Sequence, residues 1–160
     1  MIDANEFLDE LRKMPTEYFE SKPQRIVRLS EFSKAIVRDT TPKNVLDRYY
    51  SAAKFYKSKR IIRLTSDCPF IDVSTIIKMM KIYNSDKYDY LSNTYPLPTT
   101  FPDGSDIEIF NFESLKKSKF ESYLPSDKEH VTKFFWQSKK FRCFRIENKI
   151  DLSKYRYTID

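Results

Sequence analysis

Asp67 follows the run Arg60-Ile61-Ile62-Arg63-Leu64 in the polar turn Thr65-Ser66-Asp67-Cys68-Pro69-Phe70-Ile71-Asp72. A carboxylate just past a strand, in a turn fixed by a proline, can point away from the core and bind a metal. Magnesium suits such a group, because it takes one or two protein carboxylates and completes its shell with phosphate oxygens and water. Asp160, just past a second strand-like run at Tyr155 to Ile159, is the candidate companion. By residue type and spacing alone, a turn cap at Asp67 and an ordinary terminal residue at Asp160 are the more common reading, since acidic residues are frequent in loops.

A second cluster is Phe101-Pro102-Asp103-Gly104-Ser105-Asp106-Ile107-Glu108. Its carboxylates could accept hydrogen bonds from substrate hydroxyls, and a simple Pro-Asp-Gly turn is the competing reading. His130 is the single histidine, next to Glu129. No nucleophile stands at a recognisable spacing from it, so no catalytic triad can be assembled from the sequence, and a structural role or a substrate contact is expected. Gly104 is the single glycine in 160 residues. Neither a P-loop nor a dinucleotide fingerprint can be written with one glycine, so a nucleotide site here has to lean on side chains or on a segment this sequence does not supply.

The elements that would hold these residues can be read from periodicity and caps. Asp3 and Glu6 form a capping box for a helix carrying Phe7, Leu8, Leu11 and Met14, which Pro15 ends. Ala35-Ile36-Val37 reads as a short strand, and Thr41-Pro42 as the start of a helix through Val45, Leu46, Tyr49, Ala53 and Tyr56. Then follow a strand at Arg60 to Leu64, a helix capped by Asp72, a strand at Tyr88 to Leu91, a proline-broken loop, a strand at Ile107 to Phe110 and a helix from Asn111. Ser126 and Glu129 suggest another capping box, for a helix through Val131, Phe134 and Phe135, with strands at Phe141 to Ile146 and Tyr155 to Ile159. The alternation predicts an α/β fold with a largely parallel sheet, whose ligands collect in loops 65–70 and 93–105 and after Ile159.

Composition narrows the classes further. At 40% hydrophobic and 16% aromatic residues, 160 residues suffice for one globular core. No apolar run is long enough to span a membrane and the start is acidic, so a cytoplasmic location is expected. Cys68 and Cys143 lack metal-ligand spacing and read as free thiols. The net charge of +6 is dispersed among 23 acidic residues, which argues against nucleic acid as a partner. Phe134-Phe135-Trp136 has helical spacing and reads as core.

Several of these stretches, taken in order, resemble the cytidylyltransferases of the spore coat polysaccharide and acylneuraminate type. They are Asn44-Val45-Leu46-Asp47-Arg48-Tyr49-Tyr50, Ile62 to Asp72, Tyr88-Asp89-Tyr90-Leu91-Ser92-Asn93-Thr94, Phe101 to Glu108, Ser126-Asp127-Lys128-Glu129-His130-Val131-Thr132, and Tyr155-Arg156-Tyr157-Thr158-Ile159-Asp160. The resemblance implies a Rossmann-like nucleotidyltransferase sheet with flanking helices and transfer of a cytidylyl group from CTP to a sugar with release of pyrophosphate. It matches Asp67 and Asp160 to the aspartates that hold the catalytic Mg2+. It matches Asp103, Gly104, Asp106, Glu108, Glu129, His130 and Thr132 to the sugar side, and Arg48 and Arg63 to positions near the site. It covers residues 34–160, leaving 1–33 as a divergent N-terminal helical segment without the family's Arg- and Gly-containing triphosphate loop. The expectation is therefore an N-terminally incomplete domain, inactive alone or needing a complementing segment. A non-catalytic sugar-binding or partner-binding remnant is the alternative. CTP and a sugar are the expected substrates, and a second copy of the chain or a complementing N-terminal fragment the expected partners.

Overall fold

Strand β1, Arg60–Leu64, is β-branched at its centre and pairs antiparallel with β3, Ile107–Asn111. β3 pairs antiparallel with β2, Tyr90–Ser92, and β2 pairs parallel with β4, Cys143–Arg145, giving the order β1-β3-β2-β4. This computed structural model describes residues 44–65, 67–84 and 86–159. The strand and helices expected before Asn44, and Asp160, lie outside the described residues. Among the described residues no helix is long and apolar enough to cross a membrane.

The helices cover both faces of the sheet. Paired residues on adjacent strands share a face, and the face alternates along each strand. Ile62, Ile109 and Leu91 therefore point to one side, where α2, Val73–Ile82, buries Ile76, Met79 and Met80 against them. Ile61, Phe110 and Tyr90 point to the other, packing with Leu46 and Ala53 of α1, Val45–Phe55, and Leu115 of α3, Phe112–Glu121. Two short helices, α4 (Pro125–His130) and α5 (Lys133–Gln137), complete that layer, and Phe135 of α5 is fully buried in it. Each large side chain buried in this way is worth about 1.5–3 kcal/mol, so the two apolar layers dominate stability. Lys119 of α3 and Asp47 of α1 form an ion pair across the helix layer.

The mixed α/β sheet with flanking helices is the architecture the sequence implies. Its pairing differs from the expected one. β3 returns against β1 and β2, so the described strands are mainly antiparallel. Alternation of strands and helices orders the elements but does not fix direction, because the 93–105 connection doubles back to the same edge without a crossover helix. Tyr155 to Ile159 contributes one isolated bridge, Asp103 to Arg156, instead of a strand. The Ser126–Glu129 capping box does not form. Pro125 starts α4, Leu124 takes the cap position without a side-chain bond, and the Ser126 hydroxyl accepts from Lys133 Nζ at 3.1 Å. The expected single helix through Val131 and Phe135 is broken at Val131, which has φ 56°.

The helix expected to start at Thr41-Pro42 begins instead at Val45, capped by Asn44, which accepts from the N–H of Asp47. The caps read at Asn111 and Asp72 are in place, and Asn111 accepts from the N–H of Ser114. Asp72 accepts from the backbone and hydroxyls of both Ser74 and Thr75. Burial pushes the Asp72 carboxyl up, but these bonds outweigh it and hold the pKa below the usual value. Asp72→Ala is expected to cost about 1 kcal/mol at neutral pH, measured by denaturant unfolding. A depressed folded-state pKa gives stability that is present above the unfolded value, roughly 3.9, and is lost as pH falls through the folded value. The difference between Asp72→Ala and the parent should therefore shrink in acid.

Candidate functional site

The pairing puts the carboxyl ends of β1, β2 and β4 and the start of β3 at one edge of the sheet, so the turns beyond them converge. Thr65, Asp67 and Cys68 leave β1 there, Asn93 to Tyr95 leave β2, and Asp103 to Asp106 lead into β3. The Asn93 amide ties two of these together. Its Nδ2 donates to the Ser105 carbonyl at 2.7 Å and its Oδ1 accepts from the Ile107 N–H at 2.8 Å. The C-terminal segment crosses the same edge: Tyr157 donates its N–H to the Asp103 carbonyl at 2.8 Å, and Ile159 donates to the Asp67 carbonyl at 3.1 Å. Gly104 allows this crossing. It has φ +86°, and a Cβ there would stand 2.6 Å from the Tyr157 carbonyl carbon, so only glycine fits.

One row of side chains runs across the sheet at this edge: Arg63, Glu108, Ser92 and Arg145, in register and on the same face. Glu108 is 2% exposed. Its Oε2 accepts from Arg63 and its Oε1 from the Tyr90 hydroxyl and the Thr132 hydroxyl, both at 2.6 Å. Burial works against charge on Arg63, but Glu108 beside it outweighs that and raises its pKa. Burial and the same carboxylate keep the Tyr90 hydroxyl protonated far above its usual range. Tyr49 of α1 also bonds to Arg63, and half-buried Arg48 adds positive charge next to Tyr49.

Thr132 reaches Glu108 through an unusual turn. Val131, at φ 56° and ψ −57°, is the centre of a γ-turn in which the Thr132 N–H donates to the His130 carbonyl. This conformation is strained for a β-branched residue, at a cost of order 1–3 kcal/mol. The turn buries Thr132 while Glu129 and His130 remain exposed on α4. Of the three candidates Glu129, His130 and Thr132, the structure thus joins Thr132 to the row.

Asp67 is exposed, and the Cys68 thiol lies 3.8 Å from its Oδ1. Cys68 is buried against Thr65 and beside Asp106, and burial raises its thiol pKa. Cys143 is likewise a free thiol, pushed up to about 11 by burial and then by Asp89. Asp106 is half-buried and bonded to Thr94. Burial first, then the carboxylates of Glu108 and Asp103, raise its pKa. Asp103 is exposed and lies 3.5 Å from Arg156. Among the described residues no group of three metal-ligating side chains forms. The site can therefore offer two kinds of carboxylate: exposed Asp67 and Asp103, and half-buried Asp106 with an elevated pKa.

Tyr90, Tyr49, Ser92, Asn93 and Thr94 belong to this site and sequence reasoning missed their roles. Tyr90 and Ser92 lie two apart on β2, a spacing that gives them one face. What places that face over Glu108 is a register set by a partner strand far away in the chain.

A family model described as Cytidylyltransferase matches residues 20–154. An uncharacterised protein of Methanocaldococcus jannaschii is 31% identical over 121 residues, which is 74% of this chain and 48% of that protein. The structure of a cytidylyltransferase from Leptospira borgpetersenii serovar Hardjo-bovis is 34% identical and superposes with a TM-score of 0.71 over 82% of this chain and 57% of its own. The chain spans about half the length of the relatives it matches. It belongs to the cytidylyltransferase family.

Two outcomes follow from the site's electrostatics. Glu108→Gln leaves Arg63 without its carboxylate in a buried position and is expected to cost about 3 kcal/mol in denaturant unfolding. Asp106 has a folded-state pKa above its unfolded value, so the stability linked to its protonation is present below the unfolded value and lost as pH rises through the folded one. Asp106→Asn should then raise the thermal midpoint at pH 7, and the advantage should vanish as pH falls below roughly 3.9.

Proposed function

We propose that the chain takes part in transferring a cytidylyl group from CTP to a sugar, in the manner of the spore coat polysaccharide and acylneuraminate cytidylyltransferases whose motifs it resembles. The observation that carries this reading is the convergence of the Asp67 turn, the Asp103–Asp106 loop and the C-terminal segment at one sheet edge. Transfer of this kind involves little covalent chemistry by the protein. Positioning and charge neutralisation do most of the work.

Magnesium suits this edge, because an exposed carboxylate at Asp67 with few competing partners is the sparse donor set that phosphate oxygens and water complete. Asp67 and Asp160 would hold it, and it would supply positive charge against the triphosphate. Asp103 and Asp106 face the acceptor side. Arg63, Glu108 and Thr132 hold that side in register.

With one glycine in the sequence, stabilisation of the leaving pyrophosphate falls to other groups. A complementing segment or a second chain is the natural supplier. The same lone glycine favours, as second reading, a non-catalytic role in binding a sugar or a partner.

Calorimetry with CTP and Mg2+ on the 160-residue chain separates the two. Binding that weakens at least tenfold, about 1.4 kcal/mol, in Asp67→Ala is the expected result. Binding unchanged by that substitution would remove Asp67 from the site, and a folded chain that ignores CTP would favour the non-catalytic role.

A further inference from the structure

Dispersed along the sequence, the positive charge is gathered by the fold at one end. The pairs Arg60–Asn111 and Tyr90–Cys143 mark the end of the sheet away from the Asp67 turn. Residues 54–60, which lead from α1 into β1, carry four cations and no acid, and residues 138–142, which lead into β4, carry three and no acid. Lys81 and Lys87 flank the turn from α2 to β2, and Lys116 and Lys117 stand in the second turn of α3, which leaves β3 at this end. Lys117 lies 5.1 Å from the centre of the Phe141 ring, and the Lys59 carbonyl accepts from the Phe112 N–H at 3.0 Å, so these segments adjoin. Against the eleven cations stand four acids, Asp86, Asp89, Glu113 and Glu121. The ten other cations of residues 44–159 are matched by ten acids, so this end alone holds the excess of seven positive charges.

Three of the four acids are already neutralised. Arg142 donates to Asp89 from Nε at 3.1 Å and from Nη2 at 2.9 Å, Lys140 pairs with Glu121 at 2.8 Å and Lys116 with Glu113 at 3.7 Å. Lys54, Lys57, Lys59, Lys87 and Lys139 are exposed and meet no carboxylate among the described residues. Phe55 stands next to Lys54, 57% exposed, its ring meeting that of Tyr56 edge-on at 5.0 Å. A surface of one sign repels itself and attracts a counter-charge. Nine of the eleven cations are lysines, compact charges that ask for no fixed geometry from a partner. The two arginines, which could fork onto a phosphate, are held against the protein: Arg142 by Asp89 and the Asp86 carbonyl, Arg60 over the ring of Tyr83. Such a surface suits a plane of diffuse negative charge better than the phosphate track of a nucleic acid.

We propose that this end docks on an anionic lipid surface, with Phe55 entering the headgroup layer and the surrounding lysines lying over the lipid charges. An exposed ring beside lysines is the combination that binds at a membrane interface, where burial of the ring adds to attraction of the charges. The orientation leaves the site usable. β1 spans five residues at about 3.3 Å each, so the Asp67 turn lies roughly 15 Å from the docked end and opens away from it. No membrane-spanning helix is needed, and the chain comes off when salt screens the charges. Docking of this kind depends on charge and exposure at the far end and holds whatever reaction the other end performs.

The test is co-sedimentation of the 160-residue chain with vesicles of phosphatidylcholine alone and of phosphatidylcholine with about 30% phosphatidylglycerol, with fluorescence anisotropy of labelled single- and double-stranded oligonucleotides as the nucleic-acid arm. The chain should bind the anionic vesicles and leave the neutral ones, with affinity falling about tenfold or more between roughly 0.05 and 0.5 M salt. Lys57→Gln with Lys59→Gln should weaken binding about 25-fold, at roughly fivefold for each lysine beside an anionic surface. Phe55→Ala should weaken it about tenfold, the low end of what burial of a phenylalanine ring supplies. Lys149→Gln with Lys154→Gln, the same charge change in the C-terminal segment at the site edge, should bind as the parent does. All five positions are exposed, and each variant is compared once its circular dichroism spectrum matches the parent's. The proposal is overturned if neutral vesicles bind as well as anionic ones, if no vesicle binds, if the two lysine pairs lose affinity equally, or if Phe55→Ala binds as the parent does. It is also overturned if oligonucleotides bind more tightly than vesicles at equal salt, which would make a nucleic acid the partner.

Discussion

The buried carboxylate of Glu108 is the interaction on which the site depends. It is a charge in a nearly dry position, which is tolerable only because three donors converge on it. Those donors come from β1, β2 and the turn after α4, so one residue of β3 fixes the relative height of three other pieces of chain. An apolar contact at this place could fill the same volume but would not select a register, because hydrophobic burial has no direction. The polar clasp does. A slip of β1 by one residue would turn Arg63 to the opposite face and leave Glu108 unpaired in the core.

The clasp also divides the edge into two chemical environments. On its own face lie charged and titratable groups: Arg63, Asp106 with its elevated pKa, and the tyrosines held protonated beside Glu108. On the other face, above Ile107, lie rings and an amide. β3 sends Ile107 and Glu108 to opposite sides, so its first two residues open the two environments, and the loop leading into it brings Ser105 and Asp106 to the same edge. The close crossing at Gly104 then brings the C-terminal segment over the edge, where it borders both. A side chain at that position would push the crossing segments apart and open the contact between Asp67 and Ile159.

Local chemistry made much of this legible in the sequence. Asp72 and Asn111 announce their helices because a short polar side chain can satisfy the backbone N–H groups a helix start exposes. Arg60 to Leu64 reads as a strand from its β-branched centre, and the 93–105 loop from its prolines. The place of Asp67 follows from its position just past the end of β1, and that of Asp103 from the Pro-Asp-Gly loop that leads into β3. What stayed hidden depends on partners far along the chain. Nothing near Tyr90 says that it will meet Glu108, and nothing in a strand's composition tells whether its neighbour runs parallel. The Ser126–Glu129 pattern misled because Pro125 already starts that helix, and proline suits the first helical position without help from a side-chain cap.

Val131 shows why the last part could not have been read from propensity. Helical periodicity through Val131 and Phe135 favours one continuous helix, and a β-branched residue at positive φ is among the least expected conformations. The chain pays that strain and gains two things. Val131 and Phe135 both enter the core against Phe110 and Tyr90, and Thr132 arrives within 2.6 Å of Glu108. A continuous helix would place residues 131 and 135 on one face and rotate 132 by about a quarter turn away from them, out of reach of the carboxylate. The strained turn lets neighbouring residues serve the apolar layer and the polar clasp together, and the clasp in turn supplies the hydrogen bond that holds the turn. The local strain and the buried charge are thus each stable because of the other, which ties the Glu-His-Val-Thr stretch to the sheet edge through the Thr132 hydrogen bond and the packing of Val131.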